Sequence, residues 1–206
     1  MDLSRSIAPP PVGNLRQRAV AAAHRLLDAQ GEPGVALRLI AADLGTGVGS
    51  LYYHFASKDA LLAELAVDGF AELGRWMAMA AAAPTKSNAF LASGHAYLGF
   101  TRHRPALYAL MYNERILAGF DCVRAAETAA FEVFRRTLDG QGYAGDEAGD
   151  LALAFWVLGR GLASISSRSG GAQTEDSRQM VLQVLRGLAL LGRSPLVLQP
   201  AGGDAV

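Results

Sequence analysis

The feature that most constrains this chain is a glycine-punctuated join between two short apolar runs. Leu37, Ile40, Ala41 and Leu44 fall at i, i+3, i+4 and i+7, which is one face of a helix. Gly45-Thr46-Gly47 breaks that helix, and Val48 to Phe55 restarts as a second, very short one. Two helices joined by about three to four residues that include glycine make a helix-turn-helix. The string Gly45-x-Gly47-x-Gly49 is not a dinucleotide fingerprint, because it follows a helix where that motif needs a strand.

The second helix has an uneven composition. Leu51 and Phe55 lie four apart and can bury together, but Tyr52, Tyr53 and His54 cannot all bury with them. Two phenols and an imidazole on a short helix offer polar tips to something outside, and such groups suit phosphate oxygens. Val48, Gly49 and Ser50 sit at its N-terminal end, where a recognition helix meets base edges. Ser57 can cap the next helix, and Lys58 in its first turn adds a cation on the same side. The expected DNA-facing set is Arg38, Val48, Gly49, Ser50, Tyr52, Tyr53, His54 and Lys58, of which Arg38 enters with the family resemblance described next. Val48 suits a thymine methyl and Ser50 a base edge or phosphate, while Arg38, the two tyrosines, His54 and Lys58 suit phosphates.

The spaced pattern Arg38-x-Ile40-Ala41-x-x-Leu44-Gly45-x-x-x-Gly49-x-Leu51-Tyr52-x-His54-Phe55-x-Ser57-Lys58-x-x-Leu61 resembles the signature of tetracycline-repressor (TetR) family regulators. The resemblance covers roughly residues 14 to 65. It departs from the family at two positions, where Ala36 and Gly47 stand near the usual Ser or Thr caps. Glycine is a passable cap, whereas alanine costs about 0.5–2 kcal/mol.

Charge neither announces a nucleic-acid partner nor excludes one. The chain carries 19 basic and 19 acidic side chains. Across residues 14 to 64 Arg16, Arg18, Arg25, Arg38 and Lys58 face Asp28, Glu32, Asp43, Asp59 and Glu64, so DNA binding would rest on a few placed cations. Lysine is scarce, with only Lys58 and Lys86. The single cysteine, Cys122, excludes an intramolecular disulfide framework and has no activating motif around it. No segment reads as a signal peptide, and no apolar run approaches the ~18 residues of a membrane helix, so the expected location is cytoplasmic. His24, His54, His95 and His103 lack metal-site spacing and Gly-x-Ser-x-Gly is absent, so neither catalysis nor a cofactor is expected.

Taken in order, the chain reads as all-α, with about nine helices. Residues 1–13, with Pro9-Pro10-Pro11, read as a disordered arm. Asn14 caps a helix to about Gln30, ended by Gly31-Glu32-Pro33-Gly34. After the helix-turn-helix, a long helix runs from Lys58 to about Ala82 and stops at Pro84. Further helices are expected at 87–103, 106–113, 121–138, 146–167 and 174–191. The domains are a three-helix DNA-binding head at 14–57, a helical effector-binding and dimerisation body at 58–193, and a flexible tail at 194–206.

Residues 90 to 170 resemble the effector domain of a TetR subgroup named for a Trp-His-Gly motif. Tyr97-x-x-Phe100-x-x-x-x-Pro105-x-Leu107-Tyr108-x-x-Met111 is similar to its first block. Phe155-Trp156-x-x-x-Arg160-Gly161-Leu162 is similar to its second, with Arg160 where the motif has His. Met79, Phe90, Tyr108, Met111, Tyr112 and Trp156 can line a ligand pocket or be plain core. Arg160, a cation in an apolar helix, can pair with Glu127 or Glu132 or bind an anionic effector. Apolar faces on the last two helices, such as Leu151, Phe155 and Leu158 followed by Val181, Val184 and Leu188, exceed the needs of one core. In the family such helices form a dimer interface, here at about 146–192.

The resemblance implies a ligand-responsive, homodimeric transcription regulator: a repressor released from a palindromic operator by a small molecule. The alternative is a helical small-molecule-binding or adaptor protein that no longer binds DNA. The neutral head favours that alternative, while Tyr52-Tyr53-His54 and Lys58 oppose it.

Overall fold

The computed structural model describes residues 14–83, 89–139 and 146–168, and beyond these only Gln179, Gln183 and Arg186, which are helical and exposed. The described residues form nine α-helices and one 3-10 turn, with no strand. The expected arm at 1–13 and tail at 194–206, and the expected last helix apart from those three residues, lie outside the described residues. The chain divides into two compact units between Trp156 and Val157.

Helix α1 spans Leu15–Gly34 and starts at a reciprocal cap. Asn14 Oδ1 accepts from the Gln17 N–H at 3.0 Å, and the Asn14 N–H donates to Gln17 Oε1 at 3.1 Å. Its regular part ends at Gly31, whose φ of 69° and ψ of −174° no helix contains, so the stop read from Gly31 to Gly34 is where the backbone turns. Ala19, Ala22, Ala23 and Leu27 form its buried stripe.

Helix α2 is Leu37–Asp43 and α3 is Val48–Tyr52. Helix α4, Lys58–Ala82, is capped by Ser57, whose Oγ accepts from the Ala60 N–H at 3.1 Å. Its 25 residues make it about 37 Å long. Helices α5 (Ala89–His103), α6 (Pro105–Met111) and α8 (Asp121–Arg135) pack along α4, and α1 rests on α6 as well as on α2 and α4. Proline at the first position of α6 starts that helix without losing a bond. Helix α6 packs tightly on α4 at Gly69, where an added Cβ would stand 2.7 Å from Met111 Sδ.

One helix was not anticipated: α7, Glu114–Gly119, capped by Asn113 Oδ1 accepting from the Arg115 N–H at 3.0 Å. Another element is shorter than its periodicity suggested. The run to Leu138 leaves α-geometry after Arg135 and finishes as the 3-10 turn Arg136–Leu138. Helix α9 is Glu147–Arg168. In the second unit Leu162 and Ala163 are buried. Among the described residues, no helix is long and apolar enough to cross a membrane.

Candidate nucleic-acid interface

The turn between α2 and α3 is built by backbone hydrogen bonds that glycine suits best. Leu44 caps α2, and Gly45 follows at φ 63°. Its N–H donates to the Ala42 carbonyl (3.2 Å), and the Thr46 N–H to the Ala41 carbonyl (2.9 Å). That pair of bonds is the Schellman arrangement, which needs the left-handed conformation at this residue. Gly47, extended at φ −75° and ψ 142°, then serves as N-cap of α3 without a side-chain bond. Ala36 plays the same uncapped part for α2, as its residue type implied.

Helix α3 buries almost nothing of its own. Leu51 is 0% exposed, and Phe55, just past its end, 1%. Tyr52 is 56% exposed and Tyr53 88%. Gly49 and Ser50 are exposed, whereas Val48 and His54 are half-buried. The His54 ring stands edge-on to those of Tyr53 and Phe55, at 5.3 and 6.5 Å between centroids. The helix ends at Tyr52, three residues short of the expected Phe55. An added Cβ at Gly47 or Gly49 would meet nothing within 4 Å, so the chain's own packing does not require glycine there.

The head's cations divide sharply. Arg16 pairs with Glu64 on α4 and lies 5.8 Å from the Phe55 ring centroid. Arg18 donates to the Leu44 carbonyl at 3.4 Å, and Arg25 pairs with Asp43 at 2.8 Å. These arginines are struts between α1 and its neighbours, a role the sequence reading did not give them. Lys58 is also engaged, its Nζ donating to the Glu32 carbonyl oxygen at 3.1 Å. Arg38 is exposed and makes no ion pair among the described residues.

The residues expected around a ligand are only partly brought together. Phe90, Tyr108 and Trp156 are buried in one aromatic cluster, and Tyr112 stands half-buried at its side, 4.9 Å from the Tyr108 ring. Met111 is fully buried, under Gly69. Met79 does not join them. It is 74% exposed, because it lies about 200° around α4 from the buried Met77. Arg160 is likewise exposed on α9, two residues and so half a revolution from the buried Leu162. Of its expected carboxylate partners, Glu132 pairs with Arg135 on its own helix. Four cluster members lay outside the expected ligand set: Tyr97, whose hydroxyl lies 2.7 Å from that of Tyr108, Phe131 and Phe134, which pack on Trp156 at 5.6 and 6.1 Å, and Phe155, which meets Phe90 at 4.9 Å. For Phe131 and Phe134 the signal was available as an i, i+3 aromatic pair on α8.

Comparison with known proteins gives matches in both halves. The model for bacterial regulatory proteins of the tetR family matches residues 19–65. The model for a tetracyclin repressor-like C-terminal domain matches residues 90–188. YobS of Bacillus subtilis (strain 168), an uncharacterized HTH-type transcriptional regulator, is 32% identical over 99 residues, which are 48% of this chain and 52% of YobS. The matched region thus spans about half the length of this curated relative. A solved structure from Rhodococcus sp. RHA1, of a protein of unknown function, has a TM-score of 0.70 and 26% identity over 85% of this chain and 94% of its own. The TetR regulator SCO7222 of Streptomyces coelicolor shares the fold, with a TM-score of 0.61 and 24% identity over 80% of this chain and 75% of its own.

Proposed function

This chain belongs to the TetR family of bacterial regulatory proteins, and from that we propose that it is a homodimeric, ligand-responsive DNA-binding regulator that represses from a palindromic operator. Helix α3 enters a major groove in each half-site, and the half-sites lie about 34–36 Å apart or modestly wider. The observation that carries the reading is that α3 is anchored through Leu51 and presents Gly49, Ser50, Tyr52 and Tyr53 outward. Glycine inside a helix costs about 1 kcal/mol relative to alanine. Gly49 has no packing reason for that cost, and a duplex lying close against the helix supplies one. Arg38, exposed at the start of α2, is the cation best disposed to meet a phosphate, and Lys58 can use its remaining donors in the same way. For assembly, α9 leaves Leu153 and Val157 exposed, 53% and 58%, as a surface for a second copy. The effector binds at the aromatic cluster around Trp156 and Tyr108. Moving α6 and α4 there alters the spacing of the two heads, so the gain from holding both half-sites at once is lost.

The second reading, a helical binding or adaptor protein without DNA affinity, draws support from the engagement of Arg16, Arg18 and Arg25 within the fold. Selection from random duplexes, followed by fluorescence anisotropy across a salt series, separates the two. A regulator recovers a palindromic sequence and binds it with steep salt dependence. Arg38→Ala then weakens binding without changing the preferred sequence and lowers the salt slope by about 1. Weak binding to all duplexes, indifferent to Arg38→Ala and Tyr53→Ala, would establish the adaptor reading instead.

A further inference from the structure

We propose that the aromatic cluster of the first unit takes an uncharged aromatic ligand carrying one hydrogen-bonding group, and that Ser93 reads that group. The inference rests on the effector site proposed above and specifies the chemistry of its ligand.

Only two polar residues count as buried among the described residues, Ser93 at 0% exposure and Thr137 at 9%. Thr137 is satisfied locally, its Oγ1 donating to the Phe134 carbonyl at 2.6 Å. Ser93 is different. Its Oγ is buried and has no hydrogen-bond partner, although a helical serine can ordinarily bond back to the carbonyl one turn earlier. A hydroxyl withdrawn from water without a partner destabilises the fold, so its retention here calls for a reason.

The position of Ser93 supplies one. Phe90, Ser93, Tyr97 and Phe100 form the buried face of α5. The Phe90 ring packs on Phe134 at 4.9 Å, the Tyr97 ring on Trp156 at 5.2 Å, and Phe134 meets Trp156 at 6.1 Å. Ser93 lies between Phe90 and Tyr97 on the buried face of α5, so its hydroxyl is enclosed on the side of the helix from which these rings pack. The Tyr97 and Tyr108 hydroxyls, 2.7 Å apart, add a second polar point. Aromatic walls with a few placed polar groups are what a small-molecule site presents. No charged residue is buried among the described residues, and part-buried Arg104, just past α5, is already paired with Glu72 and Asp28, so an ionised ligand would lose its hydration with no spare counter-charge to replace it. Phe131 and Phe155, which pack on Trp156 and Phe90, are only half-buried and form the margin of the cluster.

Three probes of one shape test this: toluene, 4-methylphenol and 4-methylbenzoate, with binding read by quenching of Trp156. A Trp76→Phe background leaves Trp156 as the sole tryptophan of the chain's two. The expected result is that 4-methylphenol binds about three- to tenfold more tightly than toluene, and that the benzoate does not bind. Ser93→Ala removes the difference between the first two, leaves toluene unchanged, and raises the Tm of the free protein. The proposal is overturned if no probe quenches, if the benzoate binds best, or if the preference for the phenol survives in Ser93→Ala. Duplex binding is measured on the same samples. A chain that binds its selected duplex but none of the probes overturns this inference and leaves the regulator reading standing. One that takes the phenol through Ser93 but binds no duplex supports the inference and overturns the regulator reading.

Discussion

Arg115, in the first turn of α7, donates to the Glu32 carboxylate of α1 at 2.5 Å. Asn113, which caps α7, reaches the same carboxylate with its Nδ2 at 3.0 Å. Arg115 also pairs with Asp59 at the start of α4, and Lys58 donates to the Glu32 main-chain oxygen. Three element ends therefore meet at one polar junction: the end of α1, the start of α4 and the start of α7. Asp59 foremost, with help from Glu32, holds the Arg115 pKa above its usual value, so the junction keeps its cation at any working pH. Arg115→Ala leaves Glu32 and Asp59 without their guanidinium. Amide exchange should accelerate at residues 31–35 and 58–61 while Tm changes little, because exposed ion pairs contribute little to global stability. Unchanged exchange at those amides would mean that packing of α1 on α6 alone fixes the junction.

Ala36 opens α2 in extended conformation with no side-chain bond to the first turn. Serine fits that conformation and brings an acceptor for an N–H that Ala36 leaves to solvent. Ala36→Ser should raise stability by a fraction of a kcal/mol to about 1 kcal/mol in a urea melt. A melt with no gain would show that water already serves those donors as well.

Gly45→Ala isolates the cost of handedness. The turn residue sits at φ 63°, and an added Cβ would find nothing within 4 Å. Steric packing therefore adds nothing, and the loss should be the backbone term alone, about 1–2 kcal/mol. Gly47→Ala, at ordinary φ and with equal space, is the matched control and should cost less.

Glu64 sets a pH dependence. Burial pushes its pKa above the ordinary 4.5, and the attraction of Arg16 only partly offsets it. A carboxyl with a raised folded-state pKa contributes stability that is fully present below its unfolded value and lost as pH rises through the folded value. The loss should therefore begin near pH 4.5 and extend upward. Thermal melts of the protein and of Glu64→Gln across about pH 4 to 7 should show a shallower decline in the variant. Parallel curves would mean that the Arg16 pair cancels the burial penalty.

The helix-turn-helix was legible because its determinants are local. The 3.6-residue spacing of Leu37, Ile40 and Ala41 and the φ requirement at Gly45 both lie within one turn of the residues they shape. Helix α7 was not legible, because six residues with one buried side chain, Ile116, carry no periodicity. Its cap, Asn113, was the sole local sign. The arginine struts were hidden for another reason. Arg16, Arg18 and Arg25 look solvent-bound from their own helix, and their partners Glu64, Leu44 and Asp43 come from other elements. Met79 shows the opposite failure, since a hydrophobic residue type does not fix its face, and α4 turns it to solvent. Ser93 could have been noticed, lying between Phe90 and Tyr97 on one helix face, but its missing hydrogen bond is a tertiary fact.

A helix held by a single buried leucine also bears on descent. Exchanges at Gly49, Ser50, Tyr52 or Tyr53 disturb no internal packing, because none of these side chains is part of the core. The outward face of α3 can drift or be selected at almost no cost to the scaffold, while Leu51, Phe55 and Gly45 cannot. Lineages that share this frame can therefore diverge in what they recognise long before they diverge in how they fold.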